Sequence, residues 1–156
     1  MVVLGSWAAA NIAVGAIGLA TSSGQEKYFH QMNLIWGSVN LLIAGAGYLQ
    51  LRKKKSALSL SESIQAQAAI EKTFLINGGL DLVYLTAGLY CIEKSKNRPD
   101  PAQYKGYGKS LFLQGGFLLL FDAVMYSIHG RQGKQLYKLL DKLQVTGNSV
   151  GLAWKF

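Results

Sequence analysis

The sequence predicts an all-α protein: an antiparallel four-helix transmembrane bundle with an amphipathic C-terminal helix and a short extended C-terminal tail. Three observations predict it. Half of the 156 residues are hydrophobic, while 15% are charged. The charges crowd into flanks: residues 1–25 and 28–51 hold no acid or base, and 73–92 and 110–130 hold one Asp each and no base. Windows of about 20 apolar residues match a hydrocarbon core about 30 Å thick at 1.5 Å rise per residue. A soluble bundle would place polar side chains at every third or fourth position of its outer face. Too little polar chain remains here to cover four such helices.

The first span is expected over 2–21. Met1 opens directly into "VVLGSWAAANIAVGAIGLA" with no basic segment ahead of it, which argues against a cleavable signal peptide, so this span is expected to stay. "TSSGQEKYF" reads as a short turn into a second span over 31–51. "SLSESIQAQAAIEK" has Ser59 and Glu62 at capping-box spacing. The third helix should therefore start near residue 60 and project beyond the membrane before its span over 73–92. "EKSKNRPDPAQYKGYGKS", with both prolines, reads as a loop before a fourth span over 110–128.

Residues 1–130 are thus expected to form the bundle, and 131–156 an appended helix and tail. After Gly130, Leu136, Leu139, Leu140 and Leu143 share a face against Lys134, Lys138 and Lys142. That pattern fits a helix lying on the membrane surface, or one packed on the bundle or a partner. "NSVGLAWKF" alternates Val150, Leu152, Trp154 and Phe156 with Gly151, Ala153 and Lys155, as a half-buried strand does. The chain alone offers this strand no partner. It fits the edge of another protein's sheet, or a tail or interfacial anchor.

Loop charge gives the expected orientation. With four spans, the N-terminus, the 52–72 segment and the tail share one side, which carries Arg52, Lys53, Lys54, Lys55, Lys72, Arg131, Lys134, Lys138, Lys142 and Lys155. The opposite side carries Lys27, Lys94, Lys96, Arg98, Lys105 and Lys109. The positive-inside bias then expects a multi-pass protein of an inner membrane with both termini cytoplasmic. The net charge of +8 resides mostly in these flanks. Arg52, Lys53, Lys54 and Lys55, directly abutting a span, are the candidate lipid-headgroup contacts. No nucleic-acid motif accompanies the charge, so nucleic acid is not an expected partner.

The apolar spans carry the candidate site. At 100° per residue, Thr73, Asn77, Asp81, Tyr84 and Gly88 share a face of span 3. Span 4 groups Gln114, Asp122, Tyr126 and His129; span 2 groups His30, Asn33, Gly37, Asn40, Ala44 and Gly47; span 1 groups Trp7, Asn11, Gly15, Gly18 and Ser22. Lipid offers such stripes no hydrogen bond, so they should face inward. Asn11, Asn40, Asp81 and Asp122 lie at similar depth, about 10–17 Å into the core. With Asn77 and Tyr126 they form the candidate intramembrane polar or cation site. No base lies within these spans. An ionised Asp at a helix centre costs about 2.5–3.5 kcal/mol, and protonating one at pH 7 costs about 4 kcal/mol from a reference pKa near 3.9. Two close carboxylates would share a proton or hold a cation, with the Asn amides as further donors or ligands. The alternative is interhelical glue, with Asp and Asn bonded to Tyr84, Tyr126 and Trp36.

Other motifs carry less. "KGYGKS" lacks the first glycine of a phosphate-binding loop, which would fall at Gln103. His30 starts span 2 and His129 ends span 4 on the opposite side, so one metal or haem cannot use both, and His129 is expected at the interface near Glu71. Tyr104 and Tyr107 with Lys105 and Lys109 resemble an aromatic belt with snorkelling lysines. Gly15, Gly18, Gly78, Gly79, Gly115 and Gly116 are expected to let helices approach closely. A faint echo aligns "NIAVGAIGLA" with "DLVYLTAGLY". Cys91 is the lone cysteine, so no intrachain disulfide forms. No metal and no cofactor is expected.

"VLGSWAAANIAVGAIGLATSSGQEKYFHQMN", "LINGGLDLVYL" and "GYGKSLFLQGGFLLLFDAVMY" resemble a family of small bacterial four-span membrane proteins of unassigned function, over most of residues 4–130. The resemblance implies the four-span architecture and no activity. The expected role is a non-enzymatic accessory or scaffolding subunit of a membrane complex, in contact with the bilayer and with a protein partner or further copies of itself. The alternative is a small proton- or cation-coupled carrier or channel using Asp81 and Asp122. A lipid-acting enzyme ranks third, because no nucleophile–base pair or metal set is visible.

Overall fold

The computed structural model describes residues 1–53, 59–141, 143–146 and 149–152. Four long helices follow one another, α1 (Val2–Thr21), α2 (Gly24–Lys53), α3 (Leu60–Lys94) and α4 (Pro101–Asp141), and then a hairpin of β1 (Leu143–Thr146) and β2 (Ser149–Leu152). Consecutive helices are antiparallel, and α1 packs on α2, α3 on α4 and α2 on α4. All four are long and apolar enough to cross a membrane. At 1.5 Å per residue, α2, α3 and α4 are about 45, 52 and 62 Å long, so their ends outrun a core of about 30 Å.

The third helix begins where its capping box predicts. Ser59 donates from both its backbone N–H and its hydroxyl to Glu62 Oε2 at 2.8 Å, and the Glu62 N–H donates to Ser59 Oγ at 3.3 Å. These bonds, the backbone one foremost, hold the exposed Glu62 carboxyl below its ordinary value of 4.5. Glu62 stands about three turns ahead of the apolar window that starts at residue 73.

Two loops are shorter than expected. Gly24 takes the left-handed conformation at φ 54°, which glycine adopts without steric cost. The chain therefore reverses through Ser22 and Ser23, and "QEKYF" is helical. Glu26, in the first turn of α2, suits the positive end of its dipole. After a 3-10 turn at Ser95–Asn97, α4 begins at Pro101 instead of near residue 110. Proline at the first helical position surrenders an N–H that would lack a partner anyway, and Asp100 supplies a residue type favoured at the cap. "KGYGKS" is therefore helix and not loop. Nor does α4 stop near Gly130. That glycine does not adopt the left-handed conformation that ends helices, so the amphipathic segment expected to stand apart is the continuation of α4 to Asp141. The side chains of its leucine face lie outside those described.

The C-terminal strand also differs from expectation. β2 pairs antiparallel with β1 of the same chain, in the register Leu143↔Leu152, Gln144↔Gly151, Val145↔Val150 and Thr146↔Ser149. The chain itself therefore supplies a partner for this strand. Gly147 and Asn148, between the strands in sequence, are a hairpin signal. Trp154 and Phe156 lie outside the described residues.

The chain forms two compact units. The first comprises Met1–Ser56 and Gly79–Leu119. Here α1 lies on α2 with Gly18 against the imidazole ring of His30. A Cβ on Gly88 would come within 2.8 Å of Gly108 O, and one on Gly108 within 2.7 Å of Gly88 O, so α3 and α4 meet backbone to backbone. Gly15 and Gly115 are close contacts as expected, whereas Gly79 faces open space and Gly116 has only a distant leucine methyl beside it. Trp7 stacks on Phe117 with ring centroids 3.9 Å apart, and Trp36 meets Tyr84 edge-on at 4.9 Å.

The second unit comprises Ala57–Gly78 and Leu120–Phe156. Phe74 stacks on His129 at 5.6 Å. Gln67 Nε2 donates both to the His129 carbonyl and to Glu71 Oε1, which links His129 to the Glu71 expected near it.

Burial is inverted relative to a water-soluble protein. Among the described residues the buried apolar side chains are Leu4, Ala8 and Ala44, while Asn11, Asn33, Asn40, Asp81, Ser95, Ser110, Gln114 and Asp122 are buried polar ones. Large apolar side chains such as Ile17, Leu42, Val83 and Leu120 are exposed. Only a hydrocarbon solvent makes that arrangement favourable, since it wets the leucines and leaves polar groups to satisfy one another.

Candidate functional site: an amide cluster and two intramembrane carboxylates

Within the first unit, one stripe of α4 carries Tyr107, Ser110 and Gln114 at i, i+3 and i+7, which stacks them on a single face. Each reaches a neighbouring helix. Tyr107 OH donates to Gln31 Oε1 at 3.0 Å, and Ser110 Oγ to Asn33 Oδ1 at 2.6 Å. Gln114 is the hub. Its Nε2 donates to Asn11 Oδ1 at 2.6 Å and to Asn33 Oδ1 at 3.1 Å, and its Oε1 accepts from Trp7 Nε1 at 2.9 Å. Asn11 Nδ2 then donates to the Trp7 carbonyl at 2.8 Å.

Donor chemistry fixes this arrangement. An indole N–H can only donate, so the Gln114 atom facing Trp7 must be the oxygen. The Gln114 nitrogen then faces Asn11 and Asn33, which must both present oxygens. Asn33 Oδ1 uses both lone pairs, on Ser110 and Gln114. Gln114, 1% exposed, spends both N–H donors inside the protein. Chemically the cluster is a lock joining α1, α2 and α4, with each bond worth about 0.6–2 kcal/mol in a membrane.

The anticipated site residues are carried by all four helices. Asn11 belongs to the amide cluster. Asn40 is 2% exposed on α2, one turn beyond Trp36; its Nδ2 and the Trp36 Nε1 are buried donors with no acceptor among the described residues. Asp81, 3% exposed, lies in the first unit, where its backbone carbonyl borders Gly115. Asp122, 6% exposed, lies in the second. Asn77 is half-buried, while Tyr126 is exposed on α4. Of the anticipated headgroup contacts, Arg52 is exposed and lies 5.6 Å over the Tyr48 ring. Lys53 closes α2, and Lys54 and Lys55 lie outside the described residues.

Trp7, Asn33, Ser110 and Gln114 are the members that the anticipated site lacked. The first three had neighbours pointing to them, because Trp7 shares the stripe of Asn11, Asn33 that of Asn40, and Ser110 sits one turn before Gln114. The stronger signal was the 107/110/114 spacing, which reading 101–109 as loop concealed. Among the described residues no three His, Cys, Asp or Glu side chains are grouped as a metal site.

The model of a family of unknown function, DUF6992, matches residues 3–123. No curated protein and no solved structure matches the chain.

Proposed function

The chain belongs to that family, DUF6992, and from that premise we propose that it is a non-enzymatic accessory or scaffolding subunit of a membrane complex. One observation carries the reading: the Gln114 amide, the hub of the polar interior, has both donors and its acceptor bonded within the protein. A cluster so engaged holds helices in register and offers a substrate nothing. In this reading a partner docks on the 52–72 segment and the tail. In this reading the membrane is a bacterial inner membrane with both termini cytoplasmic, as the loop charges favour.

Native mass spectrometry after gentle extraction from the source membrane tests it. A partner protein at fixed stoichiometry is expected, and a lone monomer would overturn the proposal.

A second reading, a proton- or cation-coupled carrier, is favoured by the burial of Asp81 and Asp122 in apolar helices. It expects ion flux in liposomes that Asp81→Asn and Asp122→Asn abolish while the fold persists. Flux unaltered by either substitution, or none in the parent, would end it.

A further inference from the structure

We propose that α4 holds one anionic phospholipid where its apolar run gives way to bases, with the phosphate at Arg131 and Lys134 and an acyl chain along Ala123, Val124 and Ile128. Two adjoining hollows of the second unit carry this. One, about 490 Å³, is bordered by Glu71 and Tyr126 as well as Arg131 and Lys134. The other, about 350 Å³, is lined by Ala123, Val124 and Ile128. Ser127 and Arg131 line both.

Their order along the helix matches a lipid. From residue 123 to 134 α4 rises about 16 Å. Over that distance the lining starts with Ala123 and Val124, continues through Tyr126, Ser127 and Ile128 and ends in two cations, and Arg131 is the first base after Lys109. A phospholipid changes polarity in the same sequence from acyl chain through glycerol to phosphate. Arg131 and Lys134 are both exposed, and neither is ion-paired among the described residues. Arg131 can fork a phosphate through two parallel N–H donors, and Lys134 adds a point charge one turn on. The exposed Tyr126 ring suits headgroup depth.

Net charge selects the headgroup. The hollow carries two cations and one carboxylate, and Glu71 Oε1 already accepts from Gln67 at 2.8 Å. Gly133 leaves Glu71 room to lie back, since a Cβ there would come within 2.5 Å of Oε1. A headgroup of charge −1 complements this lining better than a zwitterionic one. The site differs from the diffuse pull of basic flanks, because an aliphatic strip of the same helix face runs up to the charges.

The full chain in nanodiscs of equal phosphatidylglycerol and phosphatidylcholine, weighed by native mass spectrometry, tests it. One retained lipid is expected, enriched severalfold in phosphatidylglycerol over the disc. R131Q/K134Q should return that ratio to the bulk value, while K94Q/K96Q, which also removes two bases, should leave it unchanged. Ala123→Trp, filling the aliphatic hollow, should reduce retention of any lipid. Should R131Q/K134Q not fold, Arg131→Lys, keeping the charge without the fork, should weaken the enrichment. A bulk ratio in the parent, equal loss in K94Q/K96Q, or indifference to the Arg131 and Ala123 substitutions would overturn the proposal.

Discussion

Gln114 Nε2 donates to Asn11 Oδ1 across 2.6 Å, tying α4 to α1 through residues 103 positions apart. Replacing Gln114 by Leu keeps most of the volume and strips partners from Trp7 and Asn11 and one of two from Asn33. A loss of about 1–3 kcal/mol is expected in reversible unfolding from mixed micelles. Coupled to Asn11→Ala in a double-mutant cycle, the two changes should be non-additive by at least about 0.5 kcal/mol. Strict additivity would mean that the bond contributes nothing.

Two half-buried tryptophans should respond unequally to the same change. Trp7→Phe removes the donor to Gln114 Oε1 and should cost about 1–2 kcal/mol. The Trp36 Nε1 has no acceptor among the described residues, so Trp36→Phe removes an unmet donor and should cost less despite its lost contact with Tyr84. Equal costs in thermal melts would count against the assignment of the hub.

Glycines divide by what faces them. Gly108→Ala would press a methyl to 2.7 Å from Gly88 O, backbone that cannot step aside, and should destabilise by about 1–3 kcal/mol. Gly79→Ala meets nothing within 4 Å and should be neutral or gain up to about 1 kcal/mol of helix propensity. Melting temperatures of the pair, in one detergent, decide it.

The start of α3 should respond to acid. The carboxyl of Glu62 is held below its ordinary value of 4.5 in the folded chain, so its contribution is complete above that value and lost as pH falls through the lower folded one. Amide hydrogen exchange at Ser59 should quicken over that fall, and Glu62→Gln should remove the pH dependence. A pH-independent exchange rate in the parent, after correction for intrinsic chemistry, would refute the cap.

The spans were legible because charge is excluded from them, and the inward stripes because 3.6-residue periodicity sorts Asn11, Asn33, Asn40, Asp81 and Gln114 from the leucines around them. The start of α3 was legible because the side chains of Ser59 and Glu62 make its cap. Helix ends were missed where a residue type has two meanings. Pro101 reads as a breaker yet starts α4, and Gly106 and Gly108 read as loop yet serve as helix contacts, Gly106 against Gln25 and Tyr28 of α2. Partner choice was the least legible. Asn11 was matched by depth with the aspartates, but depth is one coordinate of three. The azimuth of α4 relative to α1, at which Trp7 stacks on Phe117, brings Gln114 to it.

The amide lock has a consequence for biogenesis. Its components come from residues 7, 11, 33, 110 and 114, so a nascent chain cannot complete it until Gln114 has been synthesised. Until then the first hairpin sits in the bilayer with raw amides, a natural client for an insertase or a chaperone that shields polar helices. A truncation just before Ser110 should linger on such a helper, whereas one beyond Gln114 should let go.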